Sequence, residues 1–381
     1  MTSNPRPVVA FLSHSAARSG AELFVARVTA ASTRIEPVVI LGEHGPLEQV
    51  LASAGVRYEV VALDDAVRDH SAGSGSGALR KAVSTVRTTR HLGRTLRRLH
   101  VAVVTTHSAK AHVYGGLAGR LAGIPVVAHA HDVVGSAGSS RANTALLRTT
   151  LALLPQTVIA NSRTTARSLG RLVRRVTVIG CPTVVPDAVP PRADTEPTIG
   201  MVGRLTPWKG QDVVLRAFAA ARAAGLDPST RLRLVGAAHF GDDEAFERRL
   251  HGLAAELGIA DIVDFRGHQR DVVAEIAACD VVVHASTRPE PFGQVVLEAM
   301  ALGRPVIAAD AGGPAEVVTD GHDGLLVPPG DVEALAFALV RLAADREART
   351  RLAENGRQTV TRYALPHVVG QVEDVLLAAV R

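Results

Sequence analysis

Two carboxylates that stand eight residues apart, Glu290 and Glu298, have the spacing in this chain that is best suited to binding chemistry. Pro289 and Pro291 hold the backbone of Glu290 extended, because a residue that precedes proline avoids the α region. The stretch from Gln294 to Leu302 contains no helix breaker and predicts a helix. We therefore expect Glu290 on the loop before this helix and Glu298 about one to two turns inside it.

The start of this predicted helix lies between the two carboxylates. A helix N-terminus has unpaired N–H groups and a partial positive charge, which suit a phosphate. One carboxylate before this point and one after it could bind hydroxyl groups on both sides of a diphosphate. Sugar hydroxyls at one end and ribose hydroxyls at the other describe a nucleotide-sugar. Taken singly, Glu290 could be a solvated loop acid and Glu298 a surface helix residue.

Two cations follow a strand that is predicted earlier in the same half of the chain. Residues 198–203 predict a short buried strand, and Arg204 and Lys209 lie on the loop between it and a helix predicted from Asp212 to Ala224. A planar guanidinium and a compact ammonium could converge on one diphosphate. Only 3 of the 42 basic residues are lysines, so a lysine here is not expected merely to aid solubility. An exposed basic loop is the alternative.

The Gly203-Arg-Leu-x3-Lys-Gly stretch, the Glu290-x7-Glu element and Ala311-Gly-Gly-Pro-Ala-Glu316 together resemble the donor-binding half of glycosyltransferase family 4. Three segments of the first half match that family mainly in pattern; they are Ser19-Gly-Ala-Glu22, Thr106-His-Ser-Ala-Lys110 and Ala130-His-Asp132. The resemblance implies a retaining enzyme of the α/β GT-B architecture. In that architecture two Rossmann-like, doubly wound parallel-sheet domains face each other across a cleft.

The resemblance also implies a set of site residues. Glu290, His131, Arg204 and Lys209 are expected to be catalytic, with His131 close to the donor sugar, although a structural, hydrogen-bonded histidine is the alternative. Gly312 and Gly313 could let the substrate approach the backbone. The expected donor-binding residues are Gly20, Gly203, Arg204, Lys209, Arg266, Gly267, His268, Glu290, Phe292, Gly293, Gln294, Val295, Val296 and Glu298. The expected acceptor-side residues are His14, Ser19, His107, Lys110 and Asp132.

The expected reaction moves a hexose-type sugar from a UDP- or GDP-linked donor to an acceptor hydroxyl. The donor base is expected near residues 266–268. No Asp-x-Asp sequence occurs in the chain, so the metal-chelating device of the other large glycosyltransferase fold is absent. We therefore expect no metal site, no divalent metal requirement and no cofactor, since the nucleotide-sugar is a substrate.

Three alternatives to sugar transfer stay open. Glu290 and Glu298 could be the acid pair of a glycoside hydrolase, because their spacing permits the required separation. A nucleotide-sugar 2-epimerase shares the architecture and would release UDP without an acceptor. A non-catalytic nucleotide-sugar-binding protein would bind the donor without turnover.

The two halves of the chain differ in charge. Residues 1–190 hold 22 basic and 10 acidic residues, which gives +12, and residues 191–381 hold 20 basic and 27 acidic, which gives −7. The first half should attract anionic partners. Nucleic acid is not expected, because aromatic residues make up only 3% of the chain and few rings are available to stack on bases.

A helix predicted at residues 79–99 concentrates this positive charge. It carries seven basic residues and no acid: Arg80, Lys81, Arg87, Arg90, Arg94, Arg97 and Arg98. Its buried stripe is predicted to consist of Leu79, Val83, Val86, Leu96 and Leu99. The basic face could simply be solvated, or it could dock on an anionic membrane or an anionic acceptor.

Apolar runs alternate with helical stretches in both halves, which predicts parallel sheets with right-handed crossovers. Strands are predicted near Val8–Leu12, Val38–Leu41, Arg57–Val60, Val101–Thr105, Val126–His129, Val158–Ala160, Val176–Ile179, Thr198–Val202, Leu232–Val235, Ile262–Phe265, Val281–His284, Val306–Ala309 and Leu325–Val327. The proline-rich segment 181–191 is the predicted linker. We expect an acceptor-side domain at residues 1–188 and a nucleotide-sugar domain at 189–365. The resemblance implies that a last helix, 366–381, returns to the first domain.

The compartment is expected to be the cytoplasm, with peripheral docking at the inner membrane face as a further option. The two cysteines stand 98 positions apart, so they predict neither a disulfide framework nor a metal site. The N-terminal apolar run, Val8 to Leu12, is too short for a signal peptide. No stretch approaches the roughly 20 apolar residues of a membrane-spanning helix.

Overall fold

The computed structural model describes residues 5–62, 75–135, 140–189, 196–238 and 241–380. The chain divides into two compact units, one made of Met1–Pro182 with Leu365–Arg381 and one made of Thr183–Ala364. The last two residues of the predicted linker, 190 and 191, lie outside the described residues. Both units are α/β folds built on a parallel sheet, as predicted.

The first unit contains a seven-stranded sheet in the order β3-β2-β1-β4-β5-β6-β7, with every neighbouring pair parallel. Its strands are β1 (Val8–Ser13), β2 (Glu36–Leu41), β3 (Tyr58–Val60), β4 (Val103–Thr106), β5 (Val126–Ala130), β6 (Thr157–Ala160) and β7 (Val176–Val178). Its described helices up to the unit boundary are α1 (Gly20–Ala31), α2 (Leu47–Ser53), α3 (Gly75–Arg98), α4 (Ala109–Ala122), α5 (Arg141–Leu153) and α6 (Arg163–Ser168).

The second unit contains a six-stranded parallel sheet in the order β10-β9-β8-β11-β12-β13. Its strands are β8 (Thr198–Val202), β9 (Arg231–Val235), β10 (Val263–Gly267), β11 (Val281–His284), β12 (Val306–Ala309) and β13 (Leu325–Val327). Its described helices are α7 (Gln211–Ala223), α8 (Gly241–Glu256), α9 (Val272–Ala277), α10 (Gln294–Ala301), α11 (Pro314–Val317), α12 (Val332–Ala344) and α13 (Arg346–Val360). The final helix, α14 (Leu365–Val380), belongs to the first unit.

The central strands are buried along their whole length, because helices cover both faces of a doubly wound sheet. Every residue of β4, β5, β11 and β12 is buried. Aliphatic runs therefore form the strands, and the polar residues that follow each run emerge at the carboxyl edge of the sheet. All thirteen predicted strands coincide with observed ones.

The strand order reverses between β1 and β4 in the first unit and between β8 and β11 in the second. Ligands of doubly wound folds bind at such a switch point, beyond the carboxyl ends of the strands. The segments that leave these strands begin at His14, His107, Gly203 and Ala285. The fold thus brings several predicted site segments of each unit to that unit's own switch point, whereas residues 266–268 lie at the end of the edge strand β10.

The buried face of the basic helix α3 matches the prediction only in part: Leu96 is buried and Leu99 is partly buried, as predicted. Val83 is 61% exposed and Val86 is 48% exposed, so the prediction that they are buried was wrong. The buried stripe instead runs through Ser84, Thr88 and Leu92 to Leu96, four residues apart at each step, and includes one of the predicted residues. Small hydroxyl side chains allow this face to pack closely. A prediction that looks only for apolar residues therefore does not find it. The side chain of Leu79 lies outside the described part.

No helix among the described residues combines the length and the apolar character needed to cross a bilayer.

Helix α14 is fastened to the rest of the first unit by one buried carboxylate. Glu373, which is 2% exposed, accepts hydrogen bonds from the backbone N–H groups of Thr33 and Arg34 at 2.8 and 2.9 Å. The Arg34 guanidinium donates to the same carboxylate at 2.9 Å. Asp374 next to it also accepts from Arg34, at 2.8 Å, but is 70% exposed. Glu373 and Asp374 thus share Arg34 as a partner, but only Glu373 is buried.

We expect Glu373→Ala to lower the melting temperature of the protein by about 5 °C or more, because two backbone N–H groups and the Arg34 guanidinium lose their shared, buried acceptor. Asp374→Ala is the matched control, and its shift should stay below about 2 °C because exposed substitutions cost little. Calorimetry of both variants beside the parent measures the difference. Equal shifts for the two variants would contradict the assignment.

Candidate functional site

A buried ion pair spans the switch point of the second unit. The Lys209 Nζ atom lies 2.6 Å from Oε1 of Glu290, and the two side chains are only 18% and 12% exposed. Lys209 ends a 3-10 turn, Pro207–Lys209, that follows β8. Glu290 lies on the loop that follows β11. The structure thus brings together two residues that were assigned to the site from separate motifs.

The second oxygen of Glu290 is held by two residues that the sequence analysis missed. Ser286 Oγ donates to Glu290 Oε2 at 2.7 Å, and His284 Nε2 lies 2.6 Å from the same oxygen. His284 and Ser286 are alternate residues, so both face the same side where β11 ends. The sequence did contain a signal for these two partners, namely a histidine and a serine that come directly after an apolar run.

These contacts decide the charge of Glu290. Burial alone raises the pKa of its carboxyl, but the Lys209 ammonium and the His284 ring outweigh burial and hold the pKa well below the usual 4.5. A folded-state pKa below the unfolded value stabilises the fold above about pH 4.5. That stability is lost as the pH falls through the lower, folded-state pKa. Glu290 is therefore a carboxylate at neutral pH.

Glycines let neighbouring loops pack tightly around this pair. Gly210, at φ 80°, ends the turn that carries Lys209, and a Cβ there would lie 2.1 Å from the Ala285 carbonyl oxygen. Gly312, at φ 67°, lies against Glu290, where a Cβ would come within 2.3 Å of the Glu290 carbonyl oxygen. The Gly313 N–H donates to that oxygen at 2.8 Å. Gly312 and Gly313 thus make room for the protein's own Glu290 loop, whereas the sequence had suggested room for the substrate.

Helix α10 begins beside Glu290 without a side-chain cap. Gly293 takes φ 80° at the cap position and has no side chain to cap the helix. The side chains of Phe292 and Val296 are buried in the protein. Only their backbone could therefore meet a donor. Gln294, Val295 and Glu298 are half-buried, with Glu298 on the second turn as predicted.

The remaining predicted donor residues lie at the ends of β8 and β10. The Arg204 Nε atom lies 3.9 Å from Asp243 Oδ2, and the Arg204 carbonyl accepts from Gln211 Nε2 at 2.9 Å. The Arg266 guanidinium is bonded to Glu275 Oε1 at 2.9 Å. Gly203 follows β8, Gly267 is the last residue of β10, and His268 comes directly after it. Asp243 and Glu275 were not predicted as partners.

The switch point of the first unit is bridged by His14 and Ser108. The His14 Nδ1 atom lies 2.7 Å from Ser108 Oγ, which also caps α4 by accepting from the Ala111 N–H. Lys110 occupies the first turn of the same helix. The contact therefore joins the segments after β1 and β4, two of the predicted acceptor-side regions.

A buried acid fixes the start of α1 to the end of β1. Glu22 is buried, accepts from Ser13 Oγ at 3.1 Å and also accepts from Ser19 Oγ. Gly20 is the first residue of the helix. The predicted residues Ser19 and Gly20 are thus held beside the strand end by Glu22.

His107 and His131 are hydrogen-bonded to each other. His107 Nδ1 lies 3.0 Å from His131 Nε2, and both rings are buried. Burial lowers the pKa of both histidines, that of His131 to about 3. Both are neutral at pH 7, so His131 can offer a hydrogen bond but no positive charge. Asp132, next along the chain, is exposed.

Two family models match the sequence. Glycosyl transferases group 1 matches residues 187–359, and Glycosyltransferase Family 4 matches residues 47–184. Among curated proteins, a D-inositol 3-phosphate glycosyltransferase of Stackebrandtia nassauensis is 44% identical over 177 residues, which are 44% of this chain and 39% of that protein. The lipopolysaccharide core biosynthesis glycosyltransferase LpsE of Rhizobium meliloti is 37% identical over 164 residues, 43% of this chain and 44% of that one. The match thus spans less than half the length of these relatives.

Solved structures match almost the whole chain. Anabaena Alr3699/HepE, crystallised in complex with UDP and glucose, has a TM-score of 0.82 at 27% identity, over 97% of this chain and 99% of that one. Sucrose-phosphate synthase of Thermosynechococcus elongatus has a TM-score of 0.79 at 24% identity, over 98% of this chain and 100% of that one. The predicted GT-B fold class is confirmed.

We expect removal of both members of the Lys209–Glu290 pair to cost less than the two single removals added together. A buried charge without its partner typically costs about 3–5 kcal/mol. Lys209→Met and Glu290→Gln should each lower the free energy of unfolding, and the double variant should recover at least about 1 kcal/mol of the summed loss. Urea unfolding of the four proteins measures this coupling.

The half-exposed pair of Arg57 and Glu36 serves as the control for this cycle. Its variants, Arg57→Met and Glu36→Gln, should show a coupling of no more than about 0.5 kcal/mol, because solvent screens exposed pairs. If Lys209→Met and Glu290→Gln were additive, the two groups would not form the pair in solution.

Proposed function

We propose that this protein, which belongs to the group 1 and family 4 glycosyltransferases, transfers a hexose-type sugar from a UDP- or GDP-linked donor to an acceptor hydroxyl. The observation that carries the proposal is the buried Lys209–Glu290 pair beside the uncapped start of α10. An ammonium and a helix N-terminus suit a diphosphate, and a carboxylate suits sugar hydroxyls. The UDP and glucose bound by the Anabaena relative favour a uridine diphosphate donor.

Breaking the anomeric C–O bond leaves negative charge on the departing diphosphate. Lys209 has three N–H donors, and the one that faces Glu290 leaves others for the diphosphate. Together with the N-terminus of α10 it would stabilise the growing charge, because preorganised donors act strongly where charge develops. Arg204, which follows β8, would add a second cation. The remaining predicted donor residues would line the diphosphate, ribose and base.

Glu290 would bind the hydroxyls of the transferred sugar and ease positive charge at its anomeric carbon. The contacts of its Oε2 with Ser286 and His284 fix the carboxylate plane before the donor arrives. Neutral His131 would donate or accept one hydrogen bond near the sugar. Glu298 would bind ribose. We propose retention of the anomeric configuration, as in the resembled family.

Transfer is proposed to need neither a divalent metal nor a cofactor, because Lys209, Arg204 and the helix N-terminus supply the positive charge. The acceptor is proposed to be anionic. The first 190 residues carry a charge of +12, and the Stackebrandtia relative is called a D-inositol 3-phosphate glycosyltransferase. His14, Ser19, His107, Lys110 and Asp132 would lie on the acceptor side.

The decisive assay incubates the protein with UDP-glucose or GDP-mannose, with and without an inositol phosphate, and identifies products by mass spectrometry. We expect a glycosylated acceptor, and the α-linkage in its NMR spectrum would show retention. Glu290→Gln and Lys209→Ala should each slow turnover by about 100-fold or more. Exposed Glu347→Gln is the matched control and should stay within twofold of the parent.

Four outcomes would redirect the proposal. Release of UDP with an isomerised sugar and no acceptor would identify a 2-epimerase, and donor binding without turnover would identify a sensor. Turnover within twofold of the parent in Glu290→Gln and Lys209→Ala would remove these residues from the site. A tenfold or greater loss in EDTA, restored by Mg²⁺ or Mn²⁺, would contradict metal independence.

We also propose that the exposed face of α3 docks on an anionic membrane surface. Val83 and Val86 are exposed on the same helix as the exposed arginines Arg87, Arg90 and Arg94. Apolar side chains among arginines suit the boundary between headgroups and acyl chains. Each arginine near an anionic surface adds about 1 kcal/mol of attraction.

Flotation with vesicles tests this face. The parent should float with phosphatidylglycerol vesicles and stay behind with phosphatidylcholine vesicles. Arg87→Glu with Arg90→Glu should abolish flotation, whereas Arg346→Glu with Arg351→Glu, the same charge change on exposed positions of α13, should not. Equal loss in both double variants would indicate attraction by net charge alone.

A further inference from the structure

Three imidazoles pack against one another where two neighbouring strands of the first unit end. His129 and His131 are alternate residues at the end of β5 and project to one face of the sheet. His107 follows β4, the adjacent strand. The ring centroids of His129 and His131 are 4.2 Å apart, and the His107 centroid lies 5.4 and 5.3 Å from them. Glycosyl transfer as proposed above uses only part of this cluster.

His129 is the unexplained member. Its side chain is fully buried, and neither of its ring nitrogens has a hydrogen-bond partner in the described part of the chain. A neutral imidazole carries one N–H and one lone pair, and burying both unpaired is unfavourable. Phe24 lies edge-on to the His129 ring at 4.5 Å and to the His131 ring at 5.0 Å, and offers no polar partner. A ligand that accepts a nitrogen lone pair would satisfy one of these two unpaired groups.

We propose that His107, His129 and His131 bind one transition-metal ion of the Zn²⁺ or Co²⁺ type. One nitrogen from each ring lies within 4.8 Å of the other two. In a tetrahedral site with Zn–N bonds of 2.0–2.1 Å, ligand nitrogens are about 3.4 Å apart. His107 Nδ1 and His131 Nε2, 3.0 Å apart, are already close to that separation. The His129 ring is stacked on the His131 ring at 4.2 Å, so it must turn about its Cβ–Cγ bond to become the third ligand.

Metal binding to the neutral imidazoles releases no net proton. Binding exchanges the hydrogen bond between His107 and His131 for two metal–nitrogen bonds, and each ring keeps one N–H. For His107 that N–H is on Nε2, which lies 3.3 Å from Thr105 Oγ1 and can donate to it. Metal-binding histidines usually donate their other ring nitrogen in this way, which fixes the tautomer.

The ligand set selects the kind of metal. Three neutral nitrogen ligands without a carboxylate suit zinc, cobalt, nickel or copper, whereas magnesium and calcium prefer oxygen. The site therefore differs from a divalent site on a donor diphosphate. Its existence does not depend on the proposed transfer reaction.

The test titrates the full-length protein, stripped with EDTA and dialysed, with Co²⁺ alone. We expect one Co²⁺ per chain, the visible absorption bands of tetrahedral cobalt, and displacement by Zn²⁺. His129→Leu should weaken binding by at least about 100-fold. His44→Gln, a change to a highly exposed histidine outside the cluster, should leave binding within twofold of the parent. Unchanged binding in His129→Leu, or no stoichiometric binding to the parent, would overturn the proposal.

X-ray absorption at the zinc edge of the parent protein needs no variant and so does not depend on the folding of His129→Leu. A first shell with three imidazole nitrogens at about 2.0 Å is expected. A shell of oxygen ligands alone, or fewer than two imidazoles, would overturn the assignment even if one Zn²⁺ binds per chain.

Discussion

The second unit depends on keeping a buried carboxylate charged. Water would normally stabilise the charge of Glu290, and burial takes most of that water away. Lys209, His284 and Ser286 replace it with one ammonium and two polar groups within 2.7 Å. Each partner comes from a different point at the ends of β8 and β11, so the charge can be buried only after the sheet has formed.

The same constraint explains the backbone around the pair. The Thr287 N–H donates to the Trp208 carbonyl at 2.8 Å and ties the Lys209 turn to the β11 loop. Gly210 and Gly312 stand where a side chain would collide with backbone of the opposite loop. An alanine at either position would push a loop away and weaken the short contacts of Glu290. In this unit the close approach of the two loops is therefore what keeps the contacts of the Glu290 carboxylate short.

The sequence predicts this architecture well because aliphatic runs in a doubly wound fold have few other uses. It also predicts that Lys209 and Glu290 lie on the segments that follow β8 and β11, since each comes after such a run. It does not predict that the two pair, because they stand 81 positions apart and only the strand order of β8 and β11 brings them together. The prediction of the buried face of α3 is partly wrong for another reason. Ser84 and Thr88 pack inward, although Val83 and Val86 are the more apolar residues.

The two units share one sheet topology but hold ionisable groups in different charge states at their switch points. Both place polar residues beyond the strands that flank the switch point. In the second unit a cation and a carboxylate meet, and the pKa of Glu290 falls because its partners outweigh burial. In the first unit the rings of His107, His129 and His131 meet, and burial lowers their pKa instead. The fold fixes where ionisable groups gather, and the residue types at a few strand ends decide whether they form charged pairs or neutral clusters.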